Sequence, residues 1–200
     1  MIILGSNGFE NPTVCKKLDK LFPDKTGKLL FINIARWDSM EVGLFEKACA
    51  AGIGFKEENI TIFDENDPDA VKGMKFDHIA VTGGNTFRLL HLMKKFGLDS
   101  LVKEHMSAGA DYMGFSAGAY MVCKEIGYVD MFDDNIDITD GDFTAIGWIE
   151  QYPICHFERK GSECLVICKN RIGGSPEMLT IDELELKILK TNDSKEFISV

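Results

Sequence analysis

The chain predicts an α/β protein whose sheet is mostly parallel and carries helices on both faces. Two observations lead there. Short apolar runs alternate with amphipathic segments from the first residues to about residue 125, which is the pattern of repeated βαβ units. Glycine-rich turns follow two of those runs, at Gly83-Gly84-Asn85 and at Gly114-Phe115-Ser116-Ala117-Gly118. In sheets of this kind the chemistry lies beyond the carboxyl ends of the strands.

The elements follow in order. Met1 to Leu4 reads as the first strand. Asn11-Pro12 opens a helix, with a capping residue ahead of proline at the first helical position. Val14, Leu18, Leu21 and Phe22 then recur at helical spacing, and Pro23 ends the run. Leu29 to Ile34 is the second strand. Asp38 and Glu41 have the spacing of a capping box before a helix bearing Val42, Phe45, Ala48 and Cys49 and ending at Gly52. Ile60 to Phe63 is the third strand, Asp67-Pro68 opens a short helix, and Ile79 to Val81 is the fourth strand. Helices over roughly 86–96 and 98–108 are divided by Gly97, and the apolar run Ala110 to Phe115 precedes a buried helical segment over Ala119 to Cys123.

Beyond residue 125 the character changes. Asp130, Asp133, Asp134, Asp137, Asp140 and Asp142 form an acidic stretch read as a solvated loop. Calcium by the EF-hand route is excluded, because Ile136 and Ile138 occupy ligand positions before Gly141. Short β-like runs follow at Phe143–Ile149, Ile154–Phe157, Leu165–Cys168, Met178–Ile181, Leu184–Leu189 and Phe197–Val200. The last two flank Thr191-Asn192-Asp193-Ser194 and predict a C-terminal β-hairpin.

Two hundred residues with 45% hydrophobic content predict one domain over 1–200 with a substantial core. A net charge of −10 argues against nucleic acid and against an anionic membrane surface. No apolar run approaches the ~20 residues of a membrane span, and the N-terminus lacks the basic region of a signal peptide. Six cysteines, none in C-x-x-C, sit mostly in apolar runs, so the chain reads as reduced and cytoplasmic. Cys155, His156, Cys164 and Cys168 match no common zinc spacing, and no metal is expected. A homodimer is compatible with the chain, but nothing in the residues specifies one.

Gly114-Phe115-Ser116-Ala117-Gly118 is a G-x-S-x-G sequence between a strand and a helix, the context of a nucleophile elbow. The sharp turn brings chain segments so close that only small residues fit two places to either side of Ser116. A serine hydroxyl needs a base. Among four histidines, His91 and His105 fall on helices and His78 at a strand start, so His156, at the end of a β run, is the leading candidate. The base in turn needs an acid to orient it, and Asp130 and Glu183 are the candidates. Ala117 would give one amide of an oxyanion hole by elbow geometry, and Gly84 could give the other.

Val81-Thr82-Gly83-Gly84-Asn85-Thr86-Phe87-Arg88-Leu89-Leu90, Gly114 to Ala119 and Cys155-His156-Phe157, in that order and spacing, resemble the aspartyl dipeptidase (peptidase E) and cyanophycinase family of serine peptidases. The resemblance runs from Met1 to Phe157 and is weaker beyond. It implies a three-layer α/β fold similar to class I glutamine amidotransferases, with Ser116 where those have cysteine. It implies Ser116 as nucleophile, His156 as base, Gly84 in the oxyanion hole with Gly83 and Asn85 near substrate, and the acid at Asp130 or, second, Glu183. No cofactor is implied, and short peptides are the implied substrates. One departure stands out. The family's Gly-x-Thr-Arg motif after the histidine, whose arginine holds an acidic substrate side chain, is absent after His156. Arg159, Arg88 and Arg171 are candidate replacements. An esterase or amidase on non-peptide substrates, or a binding protein that kept the fold, are the alternative functions.

Overall fold

A computed structural model describes residues 1–190 and 196–200. In chain order the strands are Ile2–Gly5 (β1), Leu29–Ile32 (β2), Ile60–Ile62 (β3), His78–Val81 (β4), Asp111–Phe115 (β5), Tyr152–Cys155 (β6), Met178–Ile181 (β7), Leu186–Leu189 (β8) and Ile198–Ser199 (β9). The helices are Pro12–Leu21 (α1), Ser39–Gly52 (α2), Thr86–Phe96 (α3), Leu98–Ser107 (α4), Ala117–Tyr120 (α5), Phe157–Lys160 (α6) and Glu163–Ile172 (α7).

Seven strands form one sheet in the order β3-β2-β4-β5-β1-β8-β9, and β6 pairs with β7 in a second, two-stranded sheet. The five strands from β3 to β1 are parallel, while β8 runs antiparallel to β1 and β9 antiparallel to β8. Alternation along each strand divides the core into two. Ile3, Leu29, Phe31, Ala80 and Met113 face one side, where Val14 and Leu18 of α1 and Ala50 of α2 cover them. Ile2, Leu30, Ile32, Ile79, Val81 and Tyr112 face the other, under α3, α4 and α5. A period of two on strands buried on both faces is why these runs are apolar throughout. Among the described residues no helix is long and apolar enough to cross a membrane.

The N-terminal elements lie where the sequence places them. Asn11 caps α1 through its side chain, accepting from the N–H groups of Thr13 and Val14. Gly97 takes the left-handed conformation that separates α3 from α4.

Five expectations are corrected. The capping box at Asp38 and Glu41 is not formed: Asp38 makes no cap, and its carboxylate holds Arg36 instead. The buried face of α2 is Gly43, Glu46 and Ala50, leaving Leu44, Phe45 and Ala48 exposed. Gly43 sets that rotation, since a Cβ there would lie 2.6 Å from Ile62 Cγ2, so no other residue could bring the helix this close to the sheet. Leu165–Cys168 is helical within α7, not a strand. Cys164 and Cys168 point inward four residues apart, and this packing overrides the β propensity of Val166 and Ile167, which are exposed. Residues 143–149 form an irregular segment with a single bridge, Glu125 to Thr144, that packs Ala145, Ile146 and Ile149 into the core. The helix expected over 119–123 stops at Tyr120, although the segment remains buried. The turn expected at 191–194 lies outside the described residues.

Candidate active site

Ser116 follows β5 with φ 51° and ψ −111°, and His156 follows β6 with φ 56°. Among the described residues these are the two non-glycine positions with positive φ. Each such residue costs on the order of 1–3 kcal/mol and persists only where its surroundings hold it. The surroundings here are tight. A Cβ on Gly118 would sit 2.0 Å from the Val81 carbonyl oxygen, and one on Gly114 2.6 Å from that of Gly118. The buried Tyr112 hydroxyl donates to the Gly118 carbonyl at 2.6 Å, and the Ser116 N–H donates to the Gly5 carbonyl at 2.9 Å. The elbow is thus wedged between β1 and β4.

His156 is fixed by a second set of bonds. Its N–H donates to Ser6 Oγ at 2.7 Å, and Ser6 Oγ donates to the Ile181 carbonyl at 2.9 Å. The end of β1 therefore ties β6 and β7 to the main sheet. The ring then spans the site: Nε2 lies 3.1 Å from Ser116 Oγ, and Nδ1 lies 3.0 Å from both carboxylate oxygens of Glu183. Glu183 follows β7 and is itself held by Asn7, whose Nδ2 donates to its carbonyl at 2.7 Å and to Oε2 at 3.0 Å. Arg159 Nε donates to Glu183 Oε1, and Arg159 Nη2 stands 2.7 Å from His156 Nδ1. An ionised carboxylate only accepts, so the Nδ1 proton belongs on the Glu183 side and Nε2 is left to accept from the serine. Burial works to raise the Glu183 pKa, but hydrogen bonds from His156, Arg159 and Asn7 outweigh it and hold the carboxyl below its ordinary value.

Asp130, the first of the two expected acids, is placed elsewhere. It lies in a short 3-10 turn, Gly127–Met131, and its carboxylate pairs with Arg171 on α7. The order of preference between the two acids is corrected accordingly: the carboxylate at the histidine is Glu183. Asn85 is also committed elsewhere. Its Oδ1 caps α3 by accepting from Arg88 N–H at 2.9 Å, and its Nδ2 donates to the Asp134 carbonyl at 2.9 Å. Gly83 and Gly84 do border the serine. A Cβ on Gly83 would come 3.1 Å from Ser116 Cβ, and Gly84 adopts φ 143° with its missing Cβ 2.5 Å from the Ala35 carbonyl oxygen. Ala117, next after the nucleophile, is fully buried at the start of α5.

These residues open onto a cavity of about 340 Å³. Its lining includes Ser116, His156, Gly83 and Gly84, together with Glu10, Arg36, Phe45 and Glu46. Sequence reasoning missed Glu10, Arg36, Phe45 and Glu46 as cavity residues. None of the three arginines proposed to replace the absent motif lines the cavity: Arg88 pairs with Glu65 and stacks on Trp37, Arg171 holds Asp130, and Arg159 serves Glu183. The arginine that borders the cavity is Arg36, bound through Nε and Nη2 to both oxygens of Asp38 at 2.8 Å each. Among the described residues no group of three or more His, Cys, Asp or Glu side chains could hold a metal ion.

The Peptidase family S51 model matches residues 1–185. The chain belongs to Peptidase family S51. Similar proteins include an uncharacterized peptidase of Listeria monocytogenes, 36% identical over 115 residues, or 56% of this chain and 55% of the relative. An uncharacterized peptidase of Pasteurella multocida is 38% identical over 85 residues, 42% of this chain and 41% of the relative. Peptidase E of Shewanella sp. W3-18-1 is 39% identical over 69 residues, 34% of this chain and 29% of the relative. The chain spans about half the length, or less, of the curated relatives it matches. In three dimensions it is similar to a candidate peptidase E protein of Listeria monocytogenes EGD-e, with a TM-score of 0.72 at 22% identity, covering all of this chain and 96% of the other.

Proposed function

We propose that the chain is a serine peptidase acting on short peptides through Ser116, His156 and Glu183. The single observation that carries this reading is the relay from Ser116 Oγ through the His156 ring to Glu183, at 3.1 Å and 3.0 Å, on two residues held in strained backbone conformations. Ser116 Oγ attacks the scissile carbonyl carbon while His156 Nε2 takes its proton. The tetrahedral oxyanion accepts from the amides of Gly84 and Ala117. Glu183 stabilises the imidazolium without itself taking the proton. His156 then protonates the leaving amine, water attacks the acyl-enzyme with the ring again as base, and Ser116 is regenerated. No step calls on a cofactor.

The fold is read as the serine counterpart of class I glutamine amidotransferases, with β8 and β9 as its terminal hairpin and residues 1–200 as one unit. All six cysteines are free, which suits a reducing cytoplasm. The cavity's size favours di- and tripeptides over protein segments. Preference for an acidic first residue is weak or lost, because the Nε–Nη2 edge of the cavity's arginine is already bound by Asp38. The test is hydrolysis of a dipeptide panel with N-terminal Asp, Asn, Ala, Leu and Lys, with casein as the protein control. Dipeptides should be cleaved by the wild type and not by Ser116→Ala, and casein by neither. Cleavage that persists in Ser116→Ala refutes the assignment, and an Asp preference above about a hundredfold over Asn would return the acidic specificity to Arg36.

A further inference from the structure

Ser116 and His156 stand on different sheets. Ser116 follows β5, the central strand of the seven, whereas His156 follows β6, which pairs with β7 in the small sheet. Among the described residues no strand ladder joins the two sheets. The 3.1 Å approach of His156 Nε2 to Ser116 Oγ therefore depends on side chains that dock one sheet against the other. Three hydroxyls do this at the backbone of β6 and just past its end. Tyr128 donates to the Pro153 carbonyl at 2.7 Å, the Cys155 N–H donates to Tyr120 Oη at 3.1 Å, and the His156 N–H donates to Ser6 Oγ at 2.7 Å. Ser6, Tyr120 and Tyr128 are all buried. Tyr120 stands apart in what it is attached to. It is the last residue of α5, the helix that begins directly after Ser116. Its oxygen also accepts from Lys160 Nζ at 3.0 Å. Lys160 closes α6, and its backbone N–H donates to the His156 carbonyl at 3.1 Å.

Resting on the serine-peptidase reading, we infer that Tyr120, with Lys160 on its hydroxyl, is a positioning residue for the base. One oxygen on the nucleophile's own helix holds the chain just before His156 and the helix just after it. His156 sits between these two ties at φ 56°, a conformation that persists only where its surroundings impose it. Packing alone does not explain the arrangement. A phenylalanine would fill the same space, yet it would strand the buried Cys155 N–H, which is costly. Lysine ammonium groups ordinarily stay in water. This one turns inward instead, 3.7 Å from the centroid of the Phe132 ring, whose face offsets part of the lost hydration. Neither Tyr120 nor Lys160 lines the cavity that holds Ser116. Their effect on the reaction runs through the placement of His156, so it belongs in kcat and not in KM. An error of about 1 Å in such a placement costs about 10²-fold.

The experiment measures kcat and KM on one cleavable dipeptide, and the rate of fluorophosphonate labelling at Ser116, well below the Tm of each variant. Tyr120→Phe should lower both kcat and labelling by about 10–10²-fold, with KM within about twofold of the wild type. Lys160→Met should lower kcat by about threefold or more, and it keeps the test valid if Tyr120→Phe folds poorly. Tyr128→Phe is the control. It removes an equally buried hydroxyl from the same strand, but one that does not come from the nucleophile's helix, and kcat should stay within about twofold. Unchanged kcat in Tyr120→Phe and Lys160→Met, a loss confined to Tm, or a change in KM alone overturns the inference. So does an equal loss of kcat in Tyr128→Phe, which would assign the effect to sheet docking in general. Crystal structures of Tyr120→Phe and Lys160→Met supply a readout independent of turnover: the gap from Ser116 Oγ to His156 Nε2 should open beyond hydrogen-bonding reach. An unchanged gap overturns the inference whatever the wild type's activity, whereas a widened gap beside a wild type that neither labels nor cleaves counts against the peptidase reading alone.

Discussion

Two glutamates near the candidate site, Glu183 against His156 and Glu46 on the cavity that Ser116 and His156 line, have been pushed in opposite directions. Glu183 is held below its ordinary pKa because His156, Arg159 and Asn7 all donate to it, against a burial effect that favours the neutral acid. Glu46 is buried with one oxygen unpartnered and rises to about 9. The residue type is the same and the environment decides the role, a division seen wherever two acids serve different tasks in one site. Glu183 belongs to a finished network. Glu46 is instead raised by its burial and by Glu10 beside it, the reverse balance.

The largest effect expected from this contrast is kinetic. Glu183→Gln should lower kcat by about 10³–10⁴-fold, since the histidine loses the group that sets its tautomer and stabilises its cation. Asp130→Asn should stay within about twofold, because Asp130 serves Arg171. Steady-state kinetics on one cleavable dipeptide checks both, and the reverse order would exchange the roles of the two acids.

The next effect is on stability and has the opposite sign. Glu46 is protonated in the folded chain up to about pH 9 and, at its ordinary value of 4.5, ionised above that pH when unfolded. Its contribution is thus fully present below pH 4.5 and is lost as pH rises toward 9. Gln does not titrate, so Glu46→Gln should gain on the wild type steadily across that window, by on the order of 3 kcal/mol at pH 7. Thermal melts from pH 4 to 9 check it, and a constant difference across pH would contradict a protonated Glu46. For Glu183 the sign reverses. Its stabilising contribution is present above its unfolded pKa and fades as pH falls through the lower folded value, so the wild type's advantage over Glu183→Gln should shrink in acid. The smallest effect lies away from both glutamates: Asn85→Ala should cost about 1 kcal/mol as a lost helix cap, with KM unchanged.

The triad was largely legible in the sequence and the acidic residues of the cavity lining were not. Gly114, Ser116 and Gly118 announce a backbone constraint within five residues, and the structure realises it as the Gly118 contact with Val81. His156 could be chosen by elimination among four histidines. Glu183 was a candidate but ranked second, because its approach to His156 depends on β6 pairing with β7, a long-range event no local pattern reports. Glu46 was hidden for a related reason. Its helix was phased on Val42, Phe45 and Cys49, and only the close approach of Gly43 to Ile62 turns the glutamate inward. A glycine in mid-helix, three residues before an acid, was the available signal. Leu165–Cys168 went wrong on β-branched residues that the structure leaves at the surface.

The central claim is that Ser116 is a nucleophile activated by His156. Labelling with a fluorophosphonate, followed by peptide mapping, tests it most directly. The account predicts a single adduct on Ser116 in the wild type, none in Ser116→Ala, and labelling slowed by at least about 10²-fold in His156→Ala. An adduct on another residue, or Ser116 labelling at the wild-type rate in His156→Ala, would contradict it.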